Sequence, residues 1–404
     1  MAPNVGDHYH SKNKSVNYQQ LMCSGPRAAQ HITANLYQSG VFFAMTPATT
    51  HPAFNAQTEG RDVAKAFSEG IRGKTVLVTG VNPSGIGFST AEAFASQSPA
   101  HLVIAGRNAS KLEESIKLLK AEYPNVGYRP LIVDLSRQSS VRTAAADLLS
   151  WSDVPTLDIV VNSAGVMGIQ ERTLSEDGIE MHLATNHIGH YLLTCLLMPK
   201  VIKAAERNPK GATRIVNVSS GSPMFATMRW SDINFDKKNK DLPAAEQPPY
   251  ELIKAWGYTD VENRTYVGLL GYNQSKVANV LFGIGANQRL YEKYGILTLA
   301  VHPGVIATEL GRNFEQEVLD SLAAMSENGV YTYKSQGAGA ATSLVAALDP
   351  KLGVGVTKNG KENYGAFLED CQITHNAQPS AVSSADAERL WKLSEELVKE
   401  KFAW

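Results

Sequence analysis

The chain has 404 residues, 43% of them hydrophobic and 19% charged, proportions that allow a sizeable buried core and exclude a wholly disordered chain. Its 38 Lys and Arg stand against 39 Asp and Glu, so it lacks the basic field of a protein that tracks nucleic acid or an anionic membrane. The three cysteines, Cys23, Cys195 and Cys371, are too few and too scattered for a disulfide framework or a metal site, and they read as packing residues in a reducing compartment.

Up to Gln57 the chain carries one acidic residue, Asp7, and one arginine, Arg27, in a composition rich in Ser, Asn, His, Thr and Ala. Residues 1–57 therefore read as a poorly ordered or loosely docked leader, with a mitochondrial transit peptide as the alternative. No stretch approaches the roughly 20 apolar residues that cross a bilayer. The start also lacks the charged-then-apolar order of a secretory signal, so the expectation is a cytoplasmic protein without a membrane span.

From Lys74 onward, short apolar runs alternate with helical periodicity. Runs at 75–79, 102–105, 131–133, 159–161, 215–218 and 297–301 have buried-strand length. Segments at 87–97, 110–122, 139–149, 186–205 and 273–294 space their apolar residues to face a sheet. The pattern predicts an α/β chain over 58–404, a doubly wound parallel sheet with helices on both faces in a single domain. Two segments, 222–271 and 309–336, break the rhythm after strand ends and read as insertions that wall a substrate pocket. Residues 385–398 read as a helix capped by Ser384 and packed on the domain edge.

Ligands of such sheets bind beyond the carboxyl ends of the strands, where strand order reverses. The first run ends in Thr79-Gly80-Val81-Asn82-Pro83-Ser84-Gly85-Ile86-Gly87 and opens a helix. Gly80 permits a tight exit, and Gly85 and Gly87 let backbone and a helix N-terminus approach a pyrophosphate, which implies a bound dinucleotide. Gly73-Lys74-Thr75 is not a triphosphate loop, because Ser68 stands where its first glycine is needed. The second run ends at Ala105, followed by Gly106 and Arg107, with no acidic residue for a ribose hydroxyl. Arg107 can instead grip a 2′-phosphate with its fork of donors, which favours NADP(H) over NAD(H). Asp134, after the third run, reads either as an adenine contact or as a helix cap.

Tyr272 and Lys276 stand one helical turn apart and share a face. A free phenol with a pKa near ~10 is a poor base at neutral pH, and a neighbouring cation such as Lys276 favours its phenolate. Ser219 and Ser220 end the fifth run, where a hydroxyl can hold a substrate oxygen beside the phenol. At this point the chain resembles the short-chain dehydrogenase/reductase family, from about residue 73 to 404. The residues that carry the resemblance are the glycine turn, Asp134-Leu135, Asn162-Ser163-Ala164-Gly165, Asn186, Ser219-Ser220, Tyr272-x-x-x-Lys276 and His302-Pro303-Gly304. It implies a Rossmann-type fold in which Tyr272 is the general acid/base, Lys276 lowers its pKa and holds the nicotinamide ribose, and Ser220 orients the carbonyl. It also implies that Asn186 holds a water relaying protons to Lys276. Ser84, Ile86, Leu135, Asn162, Ala164 and Gly165 would line the cofactor groove, with Pro303, Gly304, Val305 and Thr308 toward the nicotinamide. Within the family, 230–236 and 385–398 resemble the retinol dehydrogenase and WW-domain oxidoreductase branch.

Two departures from the family pattern stand out. Four residues separate Gly80 from Gly85, one more than usual, which leaves the loop path open. The interval from Ser220 to Tyr272 is long, and its aromatics Trp230, Tyr250, Trp256, Tyr258 and Tyr266 either line a large apolar pocket or build the insertion's own small core. His182, His187 and His190 lie close together, but no carboxylate or cysteine completes a ligand set, so no metal is expected and the three read as structural. The helix with Tyr272 also carries Val277, Val280, Leu281 and Ile284, and family members pair through this region, which allows a homodimer. The expected function is NADP(H)-dependent hydride transfer to or from the carbonyl or alcohol carbon of a small apolar compound. The alternatives are a non-catalytic dinucleotide-binding sensor or scaffold, and a lyase or epimerase that uses the cofactor without net turnover.

Overall fold

The computed structural model describes residues 49–404, and Cys23 with the leader up to residue 48 lies outside them. The apolar runs form parallel strands β1 (Thr75–Thr79), β2 (His101–Gly106), β3 (Gly127–Ile132), β4 (Ile159–Asn162), β5 (Thr213–Val218) and β6 (Ile296–His302). All but β3 are buried along most of their length, as strands covered by helices on both faces must be. β3 begins at Gly127, earlier than the run at 131–133, because it is the edge strand. There Tyr128 and Arg129 are only half-buried, and Pro130, which lacks a ladder donor, still pairs with Ile104.

A hairpin of β7 (Val356–Lys358) and β8 (Lys361–Tyr364) stands apart, while β9 (Phe367–Glu369) and β10 (Gln372–Ile373) extend the sheet to the order β10-β9-β6-β5-β4-β1-β2-β3. Strand order reverses between β1 and β4. A crevice for a ligand therefore opens at their carboxyl ends, beyond Thr79 and Asn162.

The helices of seven or more residues are α1 (Gly60–Ala66), α2 (Ile86–Ala95), α3 (Ala109–Glu122), α4 (Gln138–Ser150), α5 (Gly189–Ala205), α6 (Gly268–Tyr294), α7 (Gln316–Glu327), α8 (Gln336–Leu348) and α9 (Ser384–Val398). Alternate residues of β1 serve the two layers. Leu77 joins the core of Val141, Leu192, Val277 and Leu390 from α4, α5, α6 and α9, whereas Val76 and Val78 join that of Val63, Phe94, Leu112 and Leu344 from α1, α2, α3 and α8. Each such buried aliphatic side chain contributes about 1.5–3 kcal/mol.

Several boundaries differ from the sequence reading. α6 starts at Gly268, which puts Tyr272 and Asn273 inside the helix. A π-turn, Ala184–Ile188, precedes α5 and holds Asn186, and the 309–336 segment contains α7. The C-terminal helix begins at Ser384 and is capped by Ser383, whose hydroxyl accepts from Asp386 N at 3.2 Å.

Residues 49–57 lie on the body of the fold: Thr50 donates from its amide and hydroxyl to the Asp349 carboxylate, both at 2.6 Å, and Gln372 donates to the carbonyls of His51 and Phe54. Val277, Val280, Leu281 and Ile284 are buried within this chain, and α9 packs over α6 so closely that a Cβ on Gly285 would stand 3.3 Å from Ala387 O. The apolar stripe that the sequence offered for pairing is thus covered by the chain itself. No described helix is long and apolar enough to cross a membrane.

Candidate active site

The chain leaves β1 through Gly80, whose φ of +75° and close approach to Ala164 exclude a side chain; a Cβ would stand 2.6 Å from Ala164 Cα. The extra residue of the glycine turn is absorbed in a four-residue turn closed by Gly85 N donating to Asn82 O at 3.0 Å, with Pro83 and Ser84 at its corner. Gly85 then starts α2 without any side-chain cap, which leaves the helix's first N–H groups and its positive end for an anion. A Cβ on Gly87 would meet Gly80 O at 2.5 Å, so the helix lies against the strand exit. Ser84 O accepts from Gln336 Nε2 at 3.1 Å, and Ile86 O accepts from the Thr90 hydroxyl.

Around this turn stand the other predicted cofactor residues. Arg107 is exposed just past β2, and Asn108 beside it caps α3 by accepting from Lys111 N. Asp134 Oδ1 accepts from the amide and hydroxyl of Ser136 at 3.0 and 2.7 Å, so one carboxylate oxygen is engaged in the local turn. Leu135 is buried, with its carbonyl against Gly189. Asn162 directs its side-chain amide to Thr194 on α5 and to Asn217 on β5. The amides of Ser163 and Ala164 both donate to the Thr79 hydroxyl. A Cβ on Gly165 would stand 3.3 Å from Asn186 Oδ1 and 3.5 Å from Lys276 Nζ, so this glycine keeps open the space in front of both. Beyond β6, Pro303 is buried, Gly304 has φ +93° with the Lys334 chain packed over it, Val305 O accepts from Lys334 N, and Thr308 caps a short turn at Leu310 N.

β5 and α6 bring Ser220, Tyr272 and Lys276 together. Lys276 Nζ donates to Val218 O at 2.9 Å and lies 5.5 Å from the Tyr272 ring centroid. The Ser219 hydroxyl donates to Lys276 O at 2.7 Å and pins the helix to the strand end. The Ser220 hydroxyl lies close enough to the Tyr272 phenol to favour its ionised form. Burial pushes the phenol above its ordinary value, and Ser220 offsets only part of that. The sequence reading expected Lys276 to lower it; here desolvation is the larger effect, which keeps Tyr272 in its proton-donating form. Burial also lowers Lys276, to about 8. Asn186 uses its side chain on Val166 and Ser275, and its carbonyl already faces His190 Nδ1 at 3.0 Å. A water would have to use the carbonyl's second lone pair.

The other histidines also have partners of their own: His182 Nδ1 meets Glu180 at 2.7 Å and His187 Nε2 meets Ser394 at 2.8 Å. The insertion aromatics form a small core that groups Phe235, Tyr258, Tyr266, Leu269 and Val318 with Tyr272, with Tyr250, Trp256 and Phe314 packed against it. Trp230 lies elsewhere, under the Arg389 guanidinium. Sequence reasoning missed Thr79, Ser222 and Asn273, whose roles lie in contacts that no local motif announces.

A family model described as short chain dehydrogenase matches residues 74–231. The chain is similar to the oxidoreductase fscI of Fusarium equiseti, 37% identical over 251 residues covering 62% of this chain and 94% of that one. It is also similar to human retinol dehydrogenase 12, 32% identical over 326 residues covering 81% and 86%. Among solved structures, an uncharacterized protein from Mycobacterium paratuberculosis matches with a TM-score of 0.55 at 26% identity, covering 83% and 96%. L-sorbose reductase from Gluconobacter frateurii, solved with NADPH and L-sorbose, shares the fold with a TM-score of 0.50 at 17% identity, covering 76% and 99%.

Proposed function

The chain belongs to the short-chain dehydrogenase/reductase family of oxidoreductases, and from that premise we propose that it exchanges hydride between NADP(H) and the carbonyl or alcohol carbon of a small apolar compound. The observation that carries this reading is the meeting of the Ser220 hydroxyl, the Tyr272 phenol and the Lys276 amine beside an uncapped helix end at the strand-order reversal. The residues present fit a dinucleotide: the glycines of the turn leave no room for side chains, and Gly165 leaves a gap before Lys276 that a Cβ would fill. Arg107, exposed at the end of β2 where an acidic residue would serve a free ribose hydroxyl, supports the phosphorylated cofactor.

When bound, the nicotinamide supplies or accepts the hydride. In the reducing direction the Tyr272 phenol gives its proton to the oxygen of the former carbonyl, so a C–H and an O–H bond form. Ser220 holds that oxygen beside the phenol, and the Lys276 ammonium stabilises the phenolate left behind. The apolar residues packed around Tyr272 support an apolar substrate.

The test is spectrophotometric: NADPH consumption by the full chain with a panel of ketones and aldehydes. Turnover with apolar members is expected, and no net consumption with any carbonyl would favour the lyase, epimerase or scaffold readings.

A further inference from the structure

Behind Ser220 runs a short buried chain of hydrogen bonds. Ser220 Oγ lies 2.8 Å from Ser222 Oγ, and Ser222 Oγ lies 2.8 Å from Asn273 Oδ1. Ser222 N donates to Ser220 Oγ at 3.0 Å. Ser222 and Asn273 are each 3% exposed. The other end of the Asn273 amide, Nδ2, is buried without a partner among the described residues. Asn273 also lines a recess of about 50 Å³ together with Phe225, Arg229, Leu270 and Gln274.

Counting hydrogens fixes what this chain can do. Each serine hydroxyl has one hydrogen, and a side-chain carbonyl only accepts. With Oδ1 toward Ser222, the Ser222 hydrogen must go to Asn273 and the Ser220 hydrogen must go to Ser222. Ser220 is then an acceptor only and offers a substrate oxygen nothing. With the amide turned over, Nδ2 donates to Ser222, Ser222 donates to Ser220, and the Ser220 hydrogen is released toward the substrate. The turned amide also removes the orphaned buried NH₂ and leaves a carbonyl in its place, which is the less costly group to leave under-satisfied.

We propose that Asn273 is a positioning residue that, with Nδ2 facing Ser222, directs the Ser222 and Ser220 hydroxyls so that Ser220 donates to the substrate oxygen. The inference rests on the oxidoreductase reading above and adds the direction of its hydrogen-bond chain.

The test uses the full chain and any carbonyl compound that supports NADPH oxidation. N273D replaces the amide by a carboxylate, an acceptor at both oxygens, and a tenfold or greater fall in kcat is expected with KM for the carbonyl and NADPH affinity within about threefold. Removing the link should then release Ser220, so the double variant N273D/S222A should recover kcat to within about threefold of S222A; general distortion of the site would not be relieved this way. N273D with parental kcat, or a double variant as slow as N273D alone, would overturn the proposal. Should N273D fail to bind NADPH, neutron diffraction of the unsubstituted protein reads the amide directly, with deuterons expected on the atom facing Ser222 and oxygen there overturning the idea. S220A measured in parallel separates the levels: if S220A retains full turnover, the role of Ser220 itself fails, whereas an inactive S220A beside a fully active N273D defeats only the role of Asn273.

Discussion

The Thr79 hydroxyl and His190 Nε2 lie 2.8 Å apart beneath the turn that follows β1. The same hydroxyl oxygen accepts from the amides of Ser163 and Ala164 at 2.9 and 3.0 Å, so its one hydrogen must go to His190 Nε2. Burial holds this histidine down at about 4 and therefore neutral, and its remaining hydrogen sits on Nδ1, facing Asn186 O. One threonine thus ties the glycine turn, the turn after β4 and the backbone of Asn186 into a single unit.

Thr79→Val removes that common partner while keeping the shape. Each buried group left unpaired costs about 1–3 kcal/mol, so a lowered urea midpoint and weaker NADPH binding are expected, with Thr79→Ser close to the parent in both. Equal stability of the valine and serine variants would show that the hydroxyl is not needed.

For Tyr272→Phe the phenol's proton is lost while the ring remains in its apolar surroundings. Loss of a general acid lowers kcat by roughly 10²–10⁴-fold. NADPH affinity, read by fluorescence titration, should stay near the parental value, and an active phenylalanine variant would remove Tyr272 from proton transfer.

If Lys276 acts as proposed, it sets an upper pH limit. Its ordinary value of 10.5 is lowered to about 8 by burial, so the ammonium near the phenol is present below that pH and lost above it. In the reducing direction kcat should fall as pH rises through about 8, and a flat profile into the range of a free lysine, near ~10.4, would contradict the assignment. The stability consequence has the opposite sign: between about 8 and 10.5 the unfolded chain holds a proton that the folded chain has released. The cost of burying this charge is therefore complete below about 8 and relieved as pH rises through that window.

The parallel strands were legible because both of their faces are buried, which writes them as continuous apolar runs. β3 was read short because an edge strand carries polar residues along its open side, and β9 and β10, three and two residues long, have no room for a pattern. Tyr272 and Lys276 were read from their spacing on one helix, and Ser220 from its place at a strand end and from the family resemblance. Thr79 with His190, and Ser222 with Asn273, are separated by 111 and 51 positions, and their partnerships exist only after folding. The stripe at Val277 to Ile284 was visible as apolar, but its cover comes from α9, far along the chain.

Arg107 discriminates cofactors if it meets the 2′-phosphate. Charge-assisted hydrogen bonds contribute about 1.5–3 kcal/mol, so Arg107→Ala should weaken NADPH binding roughly 10–100-fold while leaving NADH within about twofold. An equal loss for both cofactors would place the arginine's effect elsewhere in the groove.

Trp391 is the point at which α9 is fastened over the helix that carries Tyr272. It is 3% exposed, its ring meets Tyr191, Phe282 and Trp404, and the Arg289 guanidinium lies over it at 4.2 Å. Its Nε1 donates to Glu395 at 3.2 Å, so burial of the indole leaves no polar atom unpaired. Truncating a buried tryptophan to alanine costs about 3–5 kcal/mol, because lost contacts and a residual cavity add. Trp391→Ala should therefore lose stability on that scale in urea unfolding, whereas Trp391→Phe, which keeps a ring against Tyr191, should lose clearly less. Near-parental stability of the alanine variant would mean that α9 is held by its other contacts, Leu390 and the Arg289–Glu388 pair, rather than by the indole.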